Sequence, residues 1–152
     1  MKDKILKTDN DYTGLIIRLT LGIVMFPHGA QKMLGWYGGP GFQAELGHLQ
    51  EMGIPWLVAV MVILIEFFGA ISLIIGLVSR LWAIAFGGLF IGIIFMEHFQ
   101  YGFFMNWFGN QEGEGYEYHL LVIGLCLALW VQGSGRFSID SFLLQKKNNT
   151  NS

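Results

Sequence analysis

The chain has 152 residues, of which 53% are hydrophobic, 13% are charged and 21 are glycine, and its mean hydropathy is +0.50. A soluble domain carries roughly 25% charged residues, so too little charged surface is present to keep this much apolar area in water, and the composition is that of a one-domain membrane protein. A net charge of -2 without a basic run excludes a nucleic-acid footprint, and the single cysteine, Cys126, excludes an internal disulfide framework or a zinc site on paired thiolates.

A bilayer core of ~30 Å needs about 20 apolar residues in helical form, and four windows of the chain qualify. The first runs from Thr13 to Leu34 and the second from Pro55 to Val78, with Glu66 as its only charge. The third runs from Leu81 to about Phe104, and the fourth from near Tyr116 to Gln132, where Gly133, Ser134 and Gly135 break it. The fourth is short for a span and extends outward through Tyr118 and Glu117. Transmembrane strands are excluded, because these segments do not alternate polar and apolar residues. Between the first two windows, Phe42, Leu46 and Leu49 recur at helical spacing, as an interfacial helix requires.

The fold expected is therefore all-α: a membrane-spanning four-helix bundle with a short interfacial helix between spans 1 and 2. Residues 1–12 read as a cytoplasmic N-terminal tail, 13–144 as the membrane domain and 145–152 as a disordered cytoplasmic C-terminal tail. Lys2, Lys4, Lys7, Arg80, Arg136, Lys146 and Lys147 fall on one side of the spans, and the other side holds Lys32 with six glutamates. Basic loops face the cytoplasm, so both termini are placed there, in the inner (plasma) membrane. No cleavable signal is expected, because the first window is long enough to span and no small-x-small site follows it. Trp36, Tyr37 and Trp56 serve as headgroup anchors. The aromatic and acidic stretch from Phe99 to Gly115 is either a lid over a site or an interface loop. Arg18-Leu19 and Arg80-Leu81 open two spans alike, but the likeness ends there and no repeat is inferred.

Ionisable groups within a span each cost about 2.5 to 3.5 kcal/mol and require a partner or a cavity. Counted at ~1.5 Å per residue from the cytoplasmic end, Arg18 lies at ~8 Å, Glu66 at ~18 Å, His28 at ~22 Å and Lys32 at ~28 Å. Glu97 and His98 come out at ~24 to 26 Å, and His119 and Glu117 at ~20 to 22 Å. His28, Glu66, one of Glu97 and His98, and one of Glu117 and His119 thus fall in one layer, one from each span. Arg18, Gly22, Met25, Gly29 and Lys32 share a stripe on the first helix, and Ala59, Gly69, Ala70 and Leu73 flank Glu66 on the second. Small residues beside charges suit a close interhelical seam. Glu117 and His119 point to nearly opposite faces, so at most one of them looks directly inward. Glu66 is either a register-fixing partner of Arg18 or a proton carrier with His28. Pro27 is expected to open space beside His28, and Cys126 reads as a small packing residue. No HxxxH spacing is present, and no metal ligand is assigned.

The motifs RLTLGIVMFPHGAQKMLGWYGGPG, Glu66 in the second span, GLVSRL, GEGYEYHLL and GSGRFSID together resemble the DoxX family of small four-helix membrane proteins, over roughly Tyr12 to Leu144. The resemblance implies a four-span bundle associated with redox systems, since the family is related to the small subunit of thiosulfate:quinone oxidoreductase and some members are linked to thiol and oxidative-stress complexes. It also marks Arg18, His28, Gly29, Lys32, Glu66 and the Glu117-Tyr118-His119 motif as family positions. The expectation is a subunit of a quinone-linked membrane redox system, with His28, Glu66 and His119 as catalytic candidates and Arg18, Lys32 and Glu117 as substrate-binding ones. Quinone is the candidate cofactor, and the expected partners are the bilayer, a redox protein and a second copy of the chain. With no CxxC present, electrons must come from a partner or from bound quinone. The alternative is a non-catalytic scaffold or a carrier for a small solute or metal.

Overall fold

The computed structural model describes Leu6, Thr8 and residues 11–150, the side chains of 147–150 excepted. Lys2, Lys4 and Lys7, and with them most of the N-terminal tail, lie outside the described residues. All regular structure among the described residues is helical. Helix α1 (Tyr12–Leu34) begins where the Asp11 side chain accepts hydrogen bonds from the Thr13 and Gly14 amides, continues through Pro27, and ends at Gly35 in the left-handed conformation. Helix α2 (Gly41–Glu51) follows. Helices α3 (Trp56–Ile75) and α4 (Ser79–Tyr101) come next, and with α1 they are the three helices among the described residues long and apolar enough to cross a membrane. Helix α5 (Glu117–Gln132) is a shorter apolar helix of 16 residues. Helix α6 is Ile139–Thr150. Its start is held by the Ser138 hydroxyl, which accepts from the Ser141 amide, and Leu, Gln and Lys are adequate helix formers beyond it.

The helices meet along the expected stripes. On α1 the buried positions are Gly14, Arg18, Leu21, Gly22, Met25, Gly29 and Ala30. A methyl group on Gly22 would lie 3.0 Å from the Ala70 carbonyl oxygen, and one on Gly29 2.5 Å from that of Glu66. Glycine at these two positions lets the α1 backbone rest on α3, the contact that hydrocarbon surroundings favour because lipid offers no hydrophobic drive for association. The main core joins Leu21 and Met25 of α1, Ala70 and Leu73 of α3, Phe86 and Phe90 of α4, and Val122, Cys126 and Leu129 of α5. A smaller core joins Leu46 and Leu49 of α2 to Ala59 and Ile63 of α3. It fixes the rotation of α2, so that Glu45 is buried as well.

Two of the long helices are irregular in their middle or last third. Ile65–Gly69 of α3 and Ile94–His98 of α4 are π-helical turns. Such turns carry one extra residue and leave the ordinary i to i+4 ladder locally, and they recur at functional positions. Glu66 stands on the first, and Glu97 and His98 stand on the second.

Candidate functional site

A cavity of about 410 Å³ opens among five helices. Its polar lining consists of His28 and Lys32 from α1, Glu66 from the π turn of α3, Glu97 and His98 from the π turn of α4, and Tyr118 and His119 from α5. Its apolar lining includes Met25, Leu49, Val58, Val62, Leu89, Phe90, Ile93 and Met96. A volume within the ~300 to 1,000 Å³ range of ligand sites, apolar walls and a few converging polar groups are the usual features of a small-molecule pocket.

Lys32 organises one side. Its Nζ donates to Glu66 Oε1 at 2.8 Å and lies 3.4 Å from Glu45 Oε1. Three helices are thus tied through one ammonium. Glu66 is 2% exposed, and its second oxygen, Oε2, has no hydrogen-bond partner among the described residues. On the opposite side the rings of His98 and His119 lie 4.2 Å apart between centroids, tilted by 41°. His98 Nδ1 is 2.8 Å from the Glu114 carbonyl oxygen. A carbonyl only accepts, so Nδ1 carries the proton and Nε2 is left facing Glu97, 3.9 Å from its Oε2. His119 is buried, packed against Phe90 and Tyr118, and its Nδ1 has no partner either. A buried polar atom without a partner costs about 1 to 3 kcal/mol. Two of them, one on each side of a cavity, are positions where a ligand gains hydrogen bonds that the protein has already been desolvated to make. His28 lines the cavity from an exposed position on α1.

The structure thus brings together His28, Lys32, Glu66 and His119 of the sequence-derived site, and leaves Arg18 and Glu117 elsewhere. Arg18, 1% exposed, sits at the opposite end of the helices and donates all five N–H groups to backbone oxygens: those of Leu73, Ile74, Ser134, Arg136 and Phe137. Its partners are the end of α3 and the turn after α5, not Glu66. Glu117 turns from the cavity, and its Oε1 accepts from the Met105 amide at 3.0 Å and from Trp107 Nε1 at 3.3 Å. It therefore pins the aromatic loop that follows α4. That loop reaches the cavity wall through the Glu114 carbonyl on His98, while Trp107 and Phe108 point outward. Sequence reading also left out Glu45, whose inward turn depends on the small core beneath α2. No group of three or more His, Cys, Asp or Glu among the described residues is placed to hold a metal ion.

No solved structure matches the chain with significance. CatD of Bacillus subtilis, which carries the provisional name of oxidoreductase, is 30% identical over 137 residues, spanning 90% of this chain and 91% of that protein. The inner membrane protein YqjF of Escherichia coli is 26% identical over 141 residues, spanning 93% of this chain and 99% of that protein. The DoxX family profile matches residues 14–99. With that match over more than half the chain and a relative alike over nearly its whole length, the chain belongs to the DoxX family of membrane proteins.

Proposed function

We propose that the protein crosses the inner (plasma) membrane four times as a helical bundle, with α2 at the interface and both termini cytoplasmic, and that it serves a quinone-linked redox system acting in sulfur, thiol or oxidative-stress chemistry. The distribution of Lys and Arg supports the orientation, and the apolar helices and the inner-membrane relative support the location. The observation that carries the functional reading is the pair of unpartnered buried atoms, Glu66 Oε2 and His119 Nδ1, in one largely apolar cavity. A quinone ring is flat, apolar on its faces and polar at two carbonyl oxygens, and these residues suit it. Lys32 and His119 supply N–H donors, Glu66 supplies the atom that takes or gives a proton, and His28 at the exposed edge passes that proton on. When bound, a quinone supplies two-electron carrier chemistry. The only cysteine, Cys126, is buried, so electrons enter from a partner protein.

A second reading, a non-catalytic scaffold or small-solute carrier, is favoured by one observation. The ion pairs from Lys32 to Glu66 and Glu45 already tie three helices together and serve packing without any ligand. Equilibrium titration of a tail-less benzoquinone into the purified protein in nanodiscs separates the two. Saturable binding is expected, weakened about tenfold in Glu66→Gln, the loss of roughly one charged hydrogen bond, with the melting temperature within a few degrees of the parent. An absence of saturable binding, or a Glu66→Gln variant that fails to fold, assigns the charges to the scaffold.

A further inference from the structure

Two glycines of α4, Gly88 and Gly92, line the cavity, and a methyl group added to either would meet no atom within 4 Å. They differ in this from Gly22 and Gly29, whose missing side chains are needed for helix packing. Gly88 is exposed and is also part of the wall of a second cavity, about 440 Å³, in the seam between α4 and α5. That second cavity has no charged residue; Ala83, Gly87, Ile91, Ile123, Leu127 and Trp130 line most of it. From Gly88 it follows α4 back toward Ala83, away from the polar groups, while the first cavity follows α4 forward to Glu97 and His98.

We propose that the two cavities are one binding site for an amphiphilic ligand, with the ring in the polar chamber, the isoprenoid tail in the seam between α4 and α5, and Gly88 as the passage between them. The inference rests on the quinone reading above and narrows it to prenyl-tailed, membrane-borne quinones as opposed to short, water-soluble ones. Glycine weakens a helix and is retained where something approaches the backbone closely. No protein atom approaches Gly88, and the two cavities that share it differ in polarity as the two parts of such a ligand do. The tail gains by leaving the polar chamber for a surface without charge, and the seam directs it along the bilayer interior.

The test uses the full chain in nanodiscs and a benzoquinone whose prenyl tail ends in a photoactivatable diazirine. Irradiation is expected to label the segments 83–91 and 123–130, and excess tail-less benzoquinone is expected to suppress that labelling about tenfold. Leu127→Trp crowds the seam at an exposed position that lines only the second cavity. It is expected to weaken the tailed ligand about tenfold while leaving the tail-less ring unchanged. Labelling that ignores the competitor means that the seam holds bulk lipid chains and overturns the inference, and it does so whether or not the variant folds. Equal weakening of both ligands by Leu127→Trp overturns it as well. Saturable ring binding together with either of these results leaves the quinone reading standing, whereas no ring binding removes both.

Discussion

The two ends of the helices handle buried charge in opposite ways. At one end Arg18 has all five donors on backbone oxygens. Nearby, Asp140 accepts from the Val78 amide at 2.7 Å, from the Ser79 amide at 3.1 Å and from the Ser134 hydroxyl. Its carboxylate thereby caps the start of α4 from a distant part of the chain, where the helix N-terminus favours negative charge. At the other end, Glu66 and His119 each keep a buried atom without a partner. A satisfied polar network rigidifies, and an unsatisfied one is expensive unless a ligand completes it. Buried charge alone therefore does not distinguish structure from function in this protein. What separates Arg18 and Asp140 from Glu66 and His119 is whether the ionisable group's own hydrogen-bonding atoms are taken, although the Ser79 hydroxyl beside Asp140 also lacks a partner among the described residues.

The contrast is broken most severely at the satisfied end. Arg18→Ala strands five backbone oxygens at about 1 to 3 kcal/mol for each that stays dry, a sum comparable to the ~5 to 15 kcal/mol margin of a typical fold. Little monodisperse protein is expected on size-exclusion chromatography in detergent. Arg18→Lys should recover little of it, because an ammonium has three donors and no planar fork. Full recovery by lysine would show that charge, and not the donor geometry, holds this end together.

A smaller effect is expected where the two ends are joined. Gly29→Ala drives a methyl group against the backbone of the π turn that carries Glu66. A cost of about 1 to 3 kcal/mol should appear as a lowered melting temperature together with weaker quinone binding, since the displaced element is the one that aims the carboxyl group. A melting temperature lowered with binding intact would uncouple the seam from the site. The smallest change is expected at the rim. Glu117→Gln keeps an acceptor oxygen for both Met105 and Trp107 but removes its charge, so stability should fall by less than about 1 kcal/mol. Limited proteolysis should nevertheless cut the segment 102–116 sooner, and an unchanged cleavage rate would remove Glu117 from its role in holding that loop.

Much of this was legible before the fold. The first window, Thr13 to Leu34, is nearly α1, and the stripe through Gly22, Met25 and Gly29 is buried as helical spacing requires. Cys126 packs in the main core. His28, Glu66, Glu97, His98 and His119 line one cavity, where depth counting had put His28 and Glu66 in one layer with one of Glu97 and His98 and one of Glu117 and His119. Three features were out of reach. The fate of Arg18 depends on the turn after α5 folding back, more than a hundred positions away. The choice between His119 and Glu117 depends on which side of α5 meets α4. The burial of Glu45 depends on Leu46 and Leu49 finding Ala59 and Ile63.

Length and apolar run are local properties, so the sequence alone determined that the chain is a membrane protein and where its long apolar helices lie. The direction in which each charge points was decided only by the tertiary structure. Each π turn adds a residue to its helix, and at ~3.6 residues per turn that rotates everything beyond it by about 100°. A periodicity counted along the sequence assumes that rotation is absent. At Glu66 and again at Glu97 and His98 it is present, and there the packing of neighbouring helices set the final orientation of the side chains.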